Sequence, residues 1–538
     1  MFKEIDQTLS ESNIEDSYEL SPSQLGMLLH TLREPKAALF FQQMVIPLKN
    51  PDISLFLEAW RQIIDRHPVL RTSFHWEGLD KPIQMVHRQV QLPVKHIDWR
   101  GLSKYEQQHK MRNLLQEDRH HGWILNQAPL LRLALIRLDE INYSCVKSHH
   151  HLLLDAWSGA IVLGEMKEFY RALRRGENRI YPQPRPYRDY IAWLQHQDLT
   201  LAEAFWRKHL AGFMVPTPLP GRENIGARAQ VSRFIKHQMA LSGETTRALR
   251  SIAQRWCITL STVFQGVWAL LLSFWSGQDD VVFGMTVSGR PADLIGVENM
   301  VGLFINALPV RVQVKPELPL EEWLRQLHHQ INQLQKYEYS PPVQVQGWSE
   351  IPRGTPLFET LVTFNSKAVW GKVQSSKAGR GLTATEIRQS KNEQNNHREL
   401  PRLDPTNYPL SLLAGEGEEL LMDLTADARR FNAGLLIRLL EQLRMLLEGL
   451  VENPKGKVGE LSIMAASEWR QLVQTWNQTP VNYPRTRCLH QLFEITASHY
   501  PHAIALTFDD ERLTYTDLNR RANQLAHYLR RQGIGPES

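Results

Sequence analysis

Apolar residues recur in this chain at two periods, one helical and one of strand type, and the two alternate along most of its length. Alternation of this kind leads to mixed α/β architectures, in which a sheet buries its apolar faces against helices. The stretch LFLEAWRQIIDRHPVLRTSFHW predicts an amphipathic helix ending near His67-Pro68 and a strand from Leu70. LLRLALIRL and YSCVKS read as two strands of a hairpin around Asp139-Glu140-Ile141-Asn142. Beyond them Val162, Met166, Phe169, Tyr170 and Leu173 fall at helical spacing, and Gly176 stands where a C-cap belongs. A second mixed region follows, with helices over 244–256 and 260–275, strands at VVFGMTV and ALPVRVQV, and a closing helix over 431–452.

With 538 residues the chain is too long for one hydrophobic core, which predicts three or four domains of ordinary size. NRIYPQPRPYRD, with its three prolines, reads as a connector between two lobes. Residues 366–402 are polar and nearly free of aromatics, the composition of a long mobile loop. From about Glu468 the character changes: WNQTPVNYPRTR reads as a linker, followed by helix, two strands and helix up to GIGPES. The expected division is a lead over 1–15, lobes over 16–180 and 181–465, a linker over 466–487, and the start of a further domain over 488–538. The short polar lead before LSPSQLGM reads as the true start of a polypeptide, and the ending as a cut inside that further domain.

Composition excludes several classes. A net charge of +5 is spread over the chain with no Lys/Arg block interleaved with aromatics, which argues against nucleic acid. Cys145, Cys257 and Cys488 are far apart and outside any CxxC spacing, so neither a disulfide framework nor a zinc cage is expected, and the natural compartment is a reducing cytoplasm. The N-terminal MFKEIDQTLSESNIED has no apolar run of a secretory signal. The most apolar stretch, VFQGVWALLLSFW, is too short to span a bilayer and reads as a buried helix.

Chemistry concentrates in KSHHHLLLDAWSG, residues 147–159. Adjacent histidines on an extended chain point to opposite faces, so at most His149 and His151 converge, and no HExxH or Cys/His spacing supports a metal. Two readings remain open: satisfied polar groups at a strand end, or a histidine that handles protons at the mouth of a cleft. A strand runs into the cluster, a turn holds Leu152–Asp155, and a helix starts at about Trp157. The N–H groups at such a helix start favour developing negative charge. Asp155 can lock the turn through an ion pair with an arginine.

HHLLLDA resembles HHxxxDG, the signature of the condensation domains of nonribosomal peptide synthetases, with Ala156 in place of the glycine. LSPSQLGMLLHTL (20–32), RHPVLRTSF (66–74), YRDYIAWLQ (187–195), VSGRP (287–291), VGLFINALPVRV (301–312) and NYPLSL (407–412) resemble that family's landmarks, in order. The resemblance covers roughly residues 16–465, and LTYTDLNRRANQLAHYL (513–529) is similar to the opening of an adenylation domain, without the motifs that handle ATP. It implies an α/β (α+β) fold of two chloramphenicol-acetyltransferase-like lobes, a V-shaped pseudo-dimer with a central tunnel. It also implies an amide-forming acyltransferase of secondary metabolite biosynthesis, which joins a donor acyl or peptidyl thioester to an acceptor aminoacyl thioester. Each reactant rides on the phosphopantetheine arm of a carrier protein, the chain itself holding no cofactor or metal. The implied partners are an upstream donor carrier docking in trans, a downstream acceptor carrier and the rest of the adenylation domain, with no nucleic acid and no membrane.

The same resemblance implies a catalytic set of His151, His150 and Asp155. His151 would remove the amine proton or stabilise the tetrahedral intermediate, while His150 and Asp155 support the turn. Arg290 of VSGRP is the first candidate partner for Asp155, and Arg66 the second. Trp157, Ser158 and Gly159 are expected to line the channel, though Trp157 equally begins the helix's buried face, and Asn407 and Tyr408 are expected to be structural. If the family's glycine needs positive φ, Ala156 costs on the order of 1 kcal/mol; if it serves close packing, the methyl narrows the tunnel. A working enzyme is expected. Alternatives are an epimerisation domain, a heterocyclisation domain, a coenzyme A-dependent HxxxD acyltransferase and a non-catalytic carrier-docking module. The adenylation opening and the intact histidine pair favour condensation. No extra HHxxxxGD-like element stands near His30, which favours a donor with an L-configured end.

Overall fold

The computed structural model describes residues 13–177, 181–220, 234–366, 408–464, 466–478, 486–535 and 538. They belong to two units, one ending at Met464 and one following it. The larger unit opens with β1 (Ile14–Glu19), α1 (Pro22–Arg33), β2 (Phe41–Lys49), α2 (Ile53–Arg66), β3 (Thr72–His75), β4 (Ile83–His87) and β5 (Val94–Asp98). Next come α3 (Lys104–His121), β6 (Leu131–Arg137), β7 (Asn142–His150) and α4 (Ala156–Arg174). Four strands pair in the order β2-β7-β6-β5, so β7 is interior, and β1-β4-β3 form a separate small sheet.

Periodicity anticipates these elements closely. The apolar stripe of α2 buries Phe56, Ala59, Trp60, Ile63 and Ile64. The strand expected from Leu70 begins at Thr72, because Pro68 starts a short 3₁₀ turn over Pro68–Arg71. β6 and β7 pair antiparallel from Leu131 opposite His149 to Arg137 opposite Tyr143, as the hairpin reading requires. α2 and α4 cover one face of this sheet, with Trp60, Leu131, Cys145, Val162 and Tyr170 in one core. On the other face Trp99, Ile136 and Val146 pack with Leu114 and Leu115 of α3.

The rest of the unit contains α5 (Tyr187–Gln195), α6 (Leu199–Leu210), β8 (Phe234–Ala240), α7 (Gly243–Arg255), α8 (Leu260–Ser276), β9 (Asp280–Val287) and β10 (Asn306–Gln313). It continues with α9 (Leu320–Gln335), α10 (Pro342–Trp348), β11 (Thr360–Asn365), β12 (Leu410–Glu416), β13 (Leu420–Asp427) and α11 (Ala433–Glu452). The six strands pair in the order β10-β9-β11-β12-β13-β8, with β11 parallel to both its neighbours. α8 is VFQGVWALLLSFW in place, and it is buried along nearly its whole length. At Gly266 a Cβ would come within 2.3 Å of Leu324, so the glycine lets α8 and α9 approach closely. Among the described residues no single helix is long and apolar enough to cross a membrane; α7 and α8 pass that test only as a pair bent by 104°.

The segment between β9 and β10 leaves the second sheet and reaches the first core, where Val301 is buried. Its neighbours Met300 and Phe304 pack with Tyr187 and Tyr190 of α5 and with Tyr18 of β1. In the smaller unit α12 (Ala466–Arg470) runs into a π turn over Gln471–Thr475, so part of the stretch read as linker is helical. α13 (Leu489–His499), the hairpin β14 (Ile504–Phe508) and β15 (Glu511–Thr514), and α14 (Tyr515–Arg531) follow. Residues 367–402 of the expected loop, and Asn407, lie outside the described residues.

Candidate functional site

β7 delivers the histidines to its C-terminal end. The backbone ladder continues one residue past the strand, with the His151 N–H donating to the Phe40 carbonyl at 2.8 Å. Leu152, Leu153 and Leu154 then bury themselves in the first core, which pins the turn from inside. Asp155 N-caps α4: one carboxylate oxygen accepts from the Ser158 N–H at 2.7 Å.

The three histidines sit in different surroundings. His149 is half-buried with its Nδ1 3.4 Å from Lys147 Nζ, and desolvation of the ring, with the charges of Lys147 and the other two rings, holds its pKa well below normal. His150 is 1 % exposed. Its Nδ1 accepts from the Leu152 N–H at 3.1 Å, so the ring's proton is on Nε2, which points at Thr31 Oγ1 at 3.4 Å. Thr31 Oγ1 donates in turn to the Met27 carbonyl at 2.8 Å. Burial, reinforced by His151, lowers the His150 pKa to about 3, so the ring is neutral near pH 7.

His151 is half-buried and lines a cavity of about 450 Å³. The cavity is bounded by α1 through Ser23, Gly26, Met27 and His30, by Phe40, and by residues of the second sheet and α10. Ser23 Oγ donates to Asn306 Oδ1 of β10 at 3.2 Å, joining α1 to the second sheet at its edge. None of these wall residues was singled out as a site residue in the sequence, although Ser23, Gly26, Met27 and His30 all fall within LSPSQLGMLLHTL.

Asp155 is the centre of a buried clamp. Its second oxygen accepts from the Phe304 N–H at 3.1 Å, and Arg290 Nη2 stands 3.5 Å from the first. Arg290 also donates to Ser158 Oγ at 2.8 Å and to the carbonyls of Val297 and Met300, and its guanidinium lies 3.9 Å from the centre of the Phe304 ring. Ser158 Oγ donates to the Gly302 carbonyl at 2.7 Å and accepts from the Gly302 N–H at 3.1 Å. Every charge is thus met by several hydrogen bonds, the condition for burying an ion pair. At Gly289, beside Arg290, φ is +60° and a Cβ would stand 1.8 Å from the Phe304 carbonyl oxygen, so the VSGRP turn requires glycine.

Two expectations are corrected. Arg66 does not reach Asp155: it pairs with Glu165 at 3.1 Å and donates to the Pro182 carbonyl at 2.7 Å. α2 meets α4 at Glu165, about 15 Å along the helix from Asp155 at about 1.5 Å of rise per residue. Trp157, Ser158 and Gly159 are absent from the wall of the cavity at His151. The buried turn brings the start of α4 under the segment from β9 instead, so Ser158 is consumed by the clamp and Trp157 Nε1 donates to the Glu298 carbonyl at 3.0 Å. Gly159 is half-buried, with nothing within 4 Å of where a Cβ would be.

Ala156 is the first residue of α4, exposed and outside the positive-φ region, so it carries neither backbone strain nor a methyl on the cavity wall. Tyr408 lies on that wall, stacked with Phe358 at 5.3 Å. Among the described residues no group of three or more His, Cys, Asp or Glu is placed to hold a metal ion.

A family model described as condensation domain matches residues 14–473, and one described as AMP-binding enzyme matches residues 493–538. The chain is 40% identical over 524 residues to one of the proteins that make up the linear gramicidin synthase of Brevibacillus parabrevis, a match covering 97% of this chain and 10% of that one. It is 32% identical over 527 residues to bacitracin synthase 3 of Bacillus licheniformis, covering 97% of this chain and 8% of that one. The chain therefore spans a tenth or less of the length of these two relatives. Its fold is similar to that of the first condensation domain of the calcium-dependent antibiotic synthetase in complex with a substrate analogue (TM-score 0.66, 18% identity, 84% of this chain and 100% of that one). It is similar also to a holo four-domain nonribosomal peptide synthetase bound to AMP and glycine (TM-score 0.68, 18% identity, 98% of this chain and 40% of that one).

Proposed function

The chain belongs to the condensation-domain family of nonribosomal peptide synthetases, and on that premise we propose that its larger unit forms an amide between two carrier-bound thioesters. The acceptor's α-amine attacks the donor's thioester carbonyl, a C–N bond forms, the C–S bond breaks, and the donor arm leaves as a thiol that takes up the amine's proton. Both phosphopantetheine arms belong to carrier proteins, and the rest of an adenylation domain would load the acceptor. A cytoplasmic location follows from this reading, and the free cysteines fit a reducing compartment.

The observation that supports it most is the position of His151, on the wall of a cavity whose sides come from two different sheets. A free α-amine has a pKa of about 7.7–8.0, so part of it is neutral without help. Holding two tethered reactants in line supplies much of the acceleration. What remains is the proton, or the charge that develops as nitrogen bonds to carbon, and His151 is the group assigned to it. His150 is unsuited to that task, since its Nδ1 lone pair is already engaged and its ring stays neutral. His150 and the Asp155–Arg290 clamp are positioning groups.

The test is transfer between a donor-loaded and an acceptor-loaded carrier, read by intact mass spectrometry. His151→Ala is expected to lose about 10²–10⁴ in rate while still binding both carriers. Transfer by the variant at the parent rate would refute the assignment.

A further inference from the structure

Apart from His151 and His30, the cavity wall is largely apolar, with Met27, Val343, Val345, Leu357, Phe358 and Leu361 as its main side chains. Phe358 can lie against β9 because residue 284 is glycine; a Cβ there would meet the ring at 2.2 Å. The polar side chains between these residues are engaged with the protein itself. Thr286 and Thr363 share a hydroxyl hydrogen bond at 2.7 Å. The Asn306 amide donates to the Glu338 and Ser340 carbonyls, each at 2.8 Å, and Gln346 donates to the Thr355 carbonyl. Among the described lining residues the only carboxylate is Glu359, and Arg430 holds both its oxygens, at 2.6 and 3.1 Å. Lys and Arg are absent from that lining.

A charged side chain entering here would give up its water and meet no free counter-ion, whereas an apolar one gains by leaving water. We infer that the cavity seats an uncharged, apolar side chain, aliphatic or aromatic, of one of the two reactants and selects against charged ones. This rests on the condensation reading for the identity of the reactants. The side chain adjoins the reacting centre in either the acceptor aminoacyl group or the donor acyl group, so the chemistry is shared and the test must separate the sources.

Binding of unreactive pantetheine amides, measured by titration calorimetry on the whole chain, does so. One arm uses aminoacyl amides with a free α-amine as acceptor mimics, and the other N-acetylated aminoacyl amides as donor mimics. Each arm compares leucine, phenylalanine, lysine and aspartate side chains. In one arm leucine and phenylalanine should bind at least about ten-fold tighter than lysine and aspartate. Val343→Glu, at a side chain 70% exposed on α10, should narrow the leucine-to-lysine ratio several-fold in that same arm. Equal binding of all four side chains in both arms, or a ratio that Val343→Glu leaves unchanged, overturns the inference. Amide formation from the matching thioesters is followed separately. Selective binding without it supports the apolar pocket and refutes the condensation reading.

Discussion

His150 is the residue whose chemistry is most constrained by its surroundings. As a neutral ring with its proton on Nε2 it satisfies Leu152 on one side and Thr31 on the other. A second proton would have to go on Nδ1, against the Leu152 N–H, and would bury a charge. An unfolded histidine titrates near pH 6.5, but here the pKa is lowered to about 3. Between those values the unfolded chain binds a proton that the folded chain does not, so stability is complete above about pH 6.5 and falls as pH drops toward about 3. His149, also held well below normal, acts in the same direction. The thermal midpoint of the larger unit should therefore decline through that window. His150→Gln, which cannot charge, should give a shallower decline by calorimetry, and an equally steep one would refute the account. Ala156 is the contrasting case: a departure from the family motif with no cost, because an exposed first helical residue accepts a methyl freely.

At the level of elements, α4 is held at two points that do different work. Midway, Glu165 takes Arg66 at 3.1 Å and His67 at 2.6 Å, tying α4 to the end of α2 inside one sheet's core. At its start, Asp155 and Ser158 hold the segment from the second sheet through Arg290, Gly302 and Phe304. Arg290→Met leaves the Asp155 charge buried without its cation, a loss of about 3–5 kcal/mol in comparable pairs. The helix itself should persist, since Asp155 still accepts from Ser158 and Phe304 N–H groups. The expected result is a lower midpoint in denaturant with native far-ultraviolet dichroism. A change below about 0.5 kcal/mol would mean that the clamp is not under load.

Over the whole molecule burial is uneven. The larger unit contains both extended cores, whereas among the described residues after Met464 only Ala497 is buried. Leu489, Phe508, Leu525 and Tyr528 are exposed there, although the residues of α14 are patterned as an amphipathic helix. Opening free energy follows the apolar contacts a segment makes. Amides of α13, β14, β15 and α14 should therefore exchange with deuterium well before those of β6, β7 and α8 in the same chain. Comparable protection in both sets would contradict this distribution of stability.

What the sequence determined by itself is local. The stripe of α2, the β6–β7 hairpin and the turn after the histidines are all written in neighbouring residues, because periodicity and turn signals act over a few positions. Landmark order pointed to the family by resemblance, since each landmark is a short run of neighbouring residues that can be matched as it stands. Only the tertiary structure decided which arginine meets Asp155, since Arg290 and Arg66 are equivalent as charges and differ only in where their elements pack. It also decided that Ser158 faces a carbonyl rather than the cavity, and that the wall beside His151 comes from α1, β10 and the Leu357–Phe358 region. A pattern reports that a face is buried. What buries it comes from far along the chain, and that is settled by how whole sheets and helices pack.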